Sequence, residues 1–254
     1  MLIDTHAHLN LYLYKRFGSE IKSIIKEIEQ NKILTISNSM DITSYRINKK
    51  ISKSSSYIIP SFGIHPWTAN KYVNKIGLIK KMINKNNMIG EIGLDFFFIK
   101  DKNKYPGQRK IFKLFLSECK DKIISIHTKG AELEVLDLLE EFGNTRVIIH
   151  WYQGDINILK KMIKLGCYFT IGPEIHISDH IKKIAKIIPN NRLLTETDNP
   201  GGTNSLFGKK GSPILIKEVV TELSNVKGKT AEEIEKQVQM NFSELIDGII
   251  SISV

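Results

Sequence analysis

The sequence predicts an α/β protein, a (β/α)8 barrel formed as one domain over residues 1–254. Three observations carry that expectation. Short apolar runs rich in β-branched residues recur at intervals of roughly 20 to 35 residues, the spacing of repeated βα units. Most of these runs are continuous in hydrophobicity rather than alternating, as parallel strands covered on both faces require. The chain also shows no linker or low-complexity break, and its 254 residues match the size of one such barrel, about 250 residues.

In chain order, the strands are expected at Leu2–His6, Ile33–Ser37, Tyr57–Gly63, Met88–Ile92, Ile123–His127, Arg146–His150, Cys167–Ile171 and Leu193–Thr197. Between them the apolar period changes to that of helices. Ile21, Ile24, Ile25 and Ile28 follow the i, i+3, i+4, i+7 pattern, Ile111, Leu114 and Phe115 lead in the same way towards Cys119, and Leu133, Leu136 and Leu139 repeat it. The last strand is followed by a Gly-rich loop, Gly201–Pro213, and then by helical patterns from about Ile214 onward. Met162 and Met240 fall on helix stripes and are read as core.

Composition bounds the class. Hydrophobic residues make up 41% of the chain, enough for a large core, and no apolar run approaches the ~18 residues of a membrane span. The opening MLIDTHAHLN has neither a basic n-region nor a small-residue cleavage site, so the expected setting is cytoplasmic, with no membrane association. Cys119 and Cys167 form no metal or redox motif and are read as buried thiols. The net charge of +10 permits a polyanionic partner without requiring one: five of the 37 basic residues are arginine, and the Lys, Ile and Asn richness fits an A/T-biased genome.

The polar residues say more. The first expected strand ends in Asp4-Thr5-His6-Ala7-His8, the third in Gly63-Ile64-His65-Pro66 and the fourth in Gly90-Glu91-Ile92-Gly93. The fifth ends at His127, the sixth at His150 and the eighth at Asp198. In a (β/α)8 barrel the C-terminal strand ends surround one mouth, where active sites are built. Five of the seven histidines sit at such ends. His6 and His8, two apart on an extended segment, point the same way and can grip one cation. Glu91 has two oxygens and can bridge a pair of divalent ions. Imidazole and carboxylate ligands suit Zn, Mn or similar ions. A single strand-end histidine is ordinarily a hydrogen-bonded core residue; six such groups at one rim are read as a metal cage of His6, His8, Glu91, His127, His150 and Asp198.

The segments DTHAH (4–8), GIHP (63–66), GEIGLD (90–95) and ETDNP (196–200), with His127 and His150 between them, run in order over nearly the whole chain. Together they resemble the TatD-like metal-dependent deoxyribonucleases, within the amidohydrolase-type barrels. The resemblance implies a TIM barrel of the metal-dependent hydrolase type and a pair of divalent ions, Mg, Mn or Zn. It implies that His6, His8, Glu91 and Asp198 hold one ion and that Glu91, His127 and His150 hold the other. It implies 3′–5′ exonuclease action on single-stranded DNA ends, with Asp198 as the base that deprotonates the attacking water; a monomer is expected. His65 then contacts the scissile phosphate or supports the ligands.

The chain departs from the family beside the cage. Trp67 follows Pro66 where many relatives have a second histidine, Lys129 stands where arginine is common, and the sixth strand continues His150-Trp151-Tyr152-Gln153-Gly154. Lys129 offers a point charge rather than a fork, and with His65 and Trp151 it is expected to meet substrate. Trp67, Trp151 and Tyr152, with Phe96-Phe97-Phe98 in the loop after the fourth strand, are candidates for base stacking, against the simpler reading that the phenylalanines pack that loop on the rim. Glu196 is expected behind the ligands, His176 and His180 on the surface, and Lys209 and Lys210 either at a phosphate or in solvent. Two other functions remain open on the sequence: hydrolysis of a small amide, lactone or phosphate ester by the same cage, and a nucleic-acid-binding subunit whose site is vestigial.

Overall fold

In the computed structural model, which describes residues 1–14 and 20–250, eight strands and the helices between them alternate as expected. The strands are β1 (Leu2–Ala7), β2 (Ile33–Ser37), β3 (Ile58–Pro60), β4 (Met88–Gly93), β5 (Ile123–His127), β6 (Val147–Ile149), β7 (Tyr168–Ile171) and β8 (Leu193–Thr195). Each neighbouring pair within β1–β2–β3 and within β4 to β8 is parallel. The helices are α1 (Ile21–Gln30), α2 (Ile42–Ile51), α3 (Ile76–Ile83), α4 (Tyr105–Glu118), α5 (Glu132–Phe142), α6 (Ile156–Lys164), α7 (Asp179–Ile187), α8 (Gly201–Phe207), α9 (Ile216–Lys227) and α10 (Ala231–Ile246). The fold is a (β/α)8 TIM barrel.

Two seams join the ladders into a ring, and both lie beside site residues. Between β3 and β4 a parallel bridge at Phe62 and Ile89 replaces a full ladder, with Phe62 N–H on Met88 O at 3.1 Å and Gly90 N–H on Phe62 O at 3.0 Å. Between β8 and β1 threonine hydroxyls take over: Thr5 Oγ1 donates to Thr195 O at 2.9 Å and Thr195 Oγ1 to Ile3 O at 2.5 Å. Above them Asp198 N–H reaches His6 O at 2.8 Å and His8 N–H reaches Asn199 O at 2.7 Å.

The strands are buried along their whole length except for the end of β3. Their outer residues pack against apolar helix stripes such as Ile111, Phe112 and Phe115 of α4 and Val135, Leu136 and Leu139 of α5. Helix starts carry their own signals. Asp41 and Ser44 form a capping box on α2, Thr230 and Glu233 another on α10, and the Asp155 carboxylate caps α6. Among the described residues no helix is long and apolar enough to cross a membrane.

Four expectations need correction. The third strand is shorter than read, because Pro60 ends the β2 ladder and the chain then turns to meet β4. The eighth stops at Thr195, since Glu196 to Asn199 turn their backbone and side chains to the site and to β1. The Gly201–Pro213 stretch is half helix: α8 forms despite two glycines, one of which, Gly202, lies where a Cβ would come within 2.9 Å of Asp198 Cβ and Trp151 Cζ3. Met162 is core, but Met240 is 50% exposed on the outer face of α10.

Candidate metal centre at the barrel mouth

The strand ends bring the six expected residues together. His6 and His8 leave β1 on the same side, and their Nε2 atoms stand 3.3 Å apart. Asp198 Oδ1 is 3.8 Å from the first and 3.3 Å from the second; Glu91 Oε2 is 3.4 and 3.3 Å from the same two atoms. N and O ligands placed tetrahedrally at about 2.0–2.2 Å from a cation lie about 3.3–3.6 Å from one another. The other Glu91 oxygen, Oε1, faces a second group: His127 Nδ1 at 2.8 Å, His150 Nε2 at 3.2 Å and His65 Nε2 at 3.3 Å. One carboxylate thus lies between two clusters of imidazole nitrogens, and the His6 and His150 rings stack at 3.7 Å.

Close backbone approach makes this possible. Gly93 has φ +137° and sits where a Cβ would come within 2.1 Å of His127 O. At Gly63 a Cβ would meet the Glu91 backbone at 2.4 Å. Only glycine at these points lets the ends of β3, β4 and β5 converge. Asp198 itself has φ +49°, a left-handed conformation that costs a non-glycine residue energy and that accompanies functional sites.

The partners on the outer ring nitrogens test whether the cage fits a cation. His8 Nδ1 lies 3.1 Å from the Asn38 carbonyl, His127 Nε2 2.9 Å from Asp95 Oδ2, and His150 Nδ1 3.1 Å from Glu196 Oε2. Each partner is an acceptor, so each outer nitrogen carries the proton and each neutral ring aims a lone pair at the centre. Lone pairs facing carboxylate oxygens need positive charge between them, from a metal ion or from extra protons. The same demand shows in the side-chain acidities. Burial opposes charging His8, yet Asp198 and Glu91 push it up to about 10. Burial likewise opposes charging His150, and Glu196 and Glu91 push it up to about 10. Glu91 is held well below the usual carboxylate range by His65, His150 and His6 in spite of its burial. The residues present therefore fit divalent cations.

His65 differs from the other rings. Its Nδ1 accepts the Trp67 backbone N–H at 3.2 Å, which leaves Nε2–H as a donor pointing at Glu91 Oε1. Burial lowers its pKa to about 4, so it is a neutral donor.

Three carboxylates around the cage had no assigned part or only a supporting one. Asp95, buried at the end of GEIGLD, accepts the Trp67 indole N–H at 2.6 Å on Oδ2, beside His127, and the Phe97 and Phe98 backbone N–H groups at 3.0 and 2.7 Å on Oδ1. Its acidity follows: burial is outweighed by these donors and by His127, and the pKa falls to about 2. Asp4, on the same face of β1 as His6 and His8, binds Thr197 through Oγ1–H at 2.6 Å and N–H at 3.0 Å. Period-two alternation would have placed Asp4 there. Glu196 holds His150 as expected and accepts Thr170 Oγ1–H at 2.6 Å.

The residues expected to meet substrate divide. Trp67, Phe97 and Phe98 are exposed, while Phe96 is half-buried with its ring 4.1 Å from that of Tyr105. Trp151 and Tyr152 do not offer open faces: they are 9% and 2% exposed, with the Trp151 indole N–H on Glu174 and the Tyr152 hydroxyl on Asp155 O. The apolar bulk of both rings takes them under the rim. Lys129 lies over the Trp151 ring at 5.0 Å and donates to Trp151 O at 3.2 Å and to Gln153 Oε1, and burial lowers its pKa. His176, His180, Lys209 and Lys210 are exposed.

Residues 3–247 match the family described as TatD related DNase. The chain belongs to that family. Over 245 residues it is 27% identical to a metal-dependent hydrolase of Methanocaldococcus jannaschii, a match that covers 94% of each protein. Over 256 residues it is 28% identical to the metal-dependent hydrolase YabD of Bacillus subtilis, which covers 96% of this chain and 98% of that one. The crystal structure of the TatD homologue YJJV of Escherichia coli superposes with a TM-score of 0.86 at 20% identity, covering 96% of this chain and 97% of that chain. In this TatD-family barrel the buried donors and the supporting carboxylates therefore stand within a family of metal-dependent hydrolases.

Proposed function

We propose that this TatD-family protein hydrolyses phosphodiester bonds of DNA, shortening single strands from their 3′ ends, with two divalent cations of the Mg, Mn or Zn kind. His6, His8, Glu91 and Asp198 would hold one ion, and Glu91, His127 and His150 the other. The observation that carries the reading is the division of Glu91, with one oxygen facing each cluster of histidines. Divalent ions in such a site make water acidic near neutral pH and polarise phosphoryl oxygens.

The chain's own groups fit the remaining work. Asp198 is the most open of the cage residues, its side chain 19% exposed where the Glu91 side chain is 3%, so water reaches the site beside it. Burial opposes ionising Asp198, yet positive charge at this point, a protonated His8 or a cation in its place, holds the carboxyl below the usual range, so it is ionised and can take a proton from the attacking water. The His65 Nε2–H is aimed into the same space and can donate to a non-bridging oxygen as negative charge develops there. The burial of the other donors, His6, His8, Glu91, His127 and His150, supports the preference for single strands, whose backbone bends into a recess more readily than a duplex does.

The test is incubation of end-labelled single-stranded and duplex DNA with Mg, Mn or chelator, beside Asp198→Asn. The expected result is metal-dependent shortening of single strands from the 3′ end, slowed at least about 100-fold by the substitution. Intact DNA under every metal, with turnover of a small amide or ester, would replace the DNA substrate with another class.

A further inference from the structure

We propose that Trp67, Phe98 and Phe97 form a ledge on which the unpaired terminal bases of a DNA strand stack while its end occupies the site. The inference rests on the phosphodiesterase reading above and names how that substrate is gripped.

The three rings are exposed by 47%, 56% and 56% respectively, and they form a continuous series that begins at the cage. The His65 ring, whose Nε2 faces Glu91, meets the Trp67 ring edge-on at 4.9 Å. Trp67 lies 5.8 Å from Phe98, and Phe98 lies 4.9 Å from Phe97. Lys100 Nζ sits 4.7 Å from the Phe97 ring centre, and Lys102 and Lys104 follow, exposed, on the next turn. Packing of the loop explains Phe96, which lies between Tyr105 and Arg109, but leaves Phe97 and Phe98 largely open to solvent.

The ledge is also fixed in place. One buried carboxylate, Asp95, accepts the Trp67 indole N–H and both phenylalanine backbone N–H groups. The Trp67 ring and the backbone that carries the two phenylalanines are held in this way, so they lose little freedom when a base settles on the ledge. Aromatic faces flanked by lysines bind single strands with little sequence preference, because every base has a π-face and every linkage a phosphate. Bases inside a duplex are already stacked on each other, so a ledge of this kind selects unpaired ends.

Two measurements test it. The first is steady-state cleavage of oligonucleotides carrying either natural bases or abasic residues at the last two positions. The wild type should show a KM about tenfold higher for the abasic strand, and the combined Phe97→Ala and Phe98→Ala variant should raise KM for the natural strand and close that gap. Equal KM for both strands in the wild type, or a gap untouched by the variant, overturns the ledge. The second is tryptophan fluorescence with chelator present. The protein has two tryptophans and Trp151 is buried, so quenching by a natural but not by an abasic strand, lost in Trp67→Phe, supports the ledge even where nothing is cut. Cleavage without quenching overturns the ledge alone; neither cleavage nor quenching overturns both readings.

Discussion

Replacing Asp95 by asparagine would set an amide NH2 against two N–H donors, those of His127 and Trp67, while its one remaining oxygen served the Phe97 and Phe98 backbone. The ring of His127 would lose the acceptor that fixes its tautomer. Metal affinity should then fall about 10- to 100-fold, measured by competition with a chromophoric chelator; an unchanged affinity would show that Asp95 serves the loop alone. The two thiols allow a separate check. Burial pushes Cys119 and Cys167 up to about 12, so at pH 8 both should resist a thiol reagent in the folded protein and react in denaturant. What the sequence left illegible at this scale was direction. Trp151 and Tyr152 follow His150 much as Trp67 follows His65, yet they turn inward to Glu174 and Asp155.

Among the elements, α10 begins at a capping box, and its Phe242 and Leu245 join the core under β1 and β8. Thr230→Ala removes that cap on a helix far from the mouth. The expected cost is about 1 kcal/mol, seen as a midpoint shift in urea with activity unchanged. The strands were legible because a β-branched run covered on both sides has a composition of its own, and β2 and β5 begin and end where the sequence places them. β3 and β8 ran short because their last residues leave the ladder for contacts that no local pattern encodes. The α8 segment was read as a loop because the reason for Gly202, the nearness of Asp198 and Trp151, is a tertiary fact. The cluster of donors was legible for the opposite reason: in a barrel the C-terminal strand ends share one mouth, so six groups remote in sequence could be gathered there before any distance was known, while their division between two ions came from the family resemblance.

For the molecule as a whole, ligand binding and stability should be linked. A divalent ion at a hundred times its dissociation constant adds about 2.7 kcal/mol, which for a chain of this size is a rise of roughly 5–10 °C in Tm. Thermal unfolding with metal and with chelator measures it, and identical curves would deny the site any native-state affinity.

The seam between β8 and β1 gives that linkage a location. There the ring is shut by two threonine hydroxyls and two amides instead of a ladder, and His6, His8 and Asp198 stand on its two sides. A cation gripped from both sides would act as a clasp, joining the first strand of the polypeptide to its last. Stripping it should let the closure breathe, so that the amide protons of His8 and Asp198 exchange with deuterium sooner than those of β5, on the far wall.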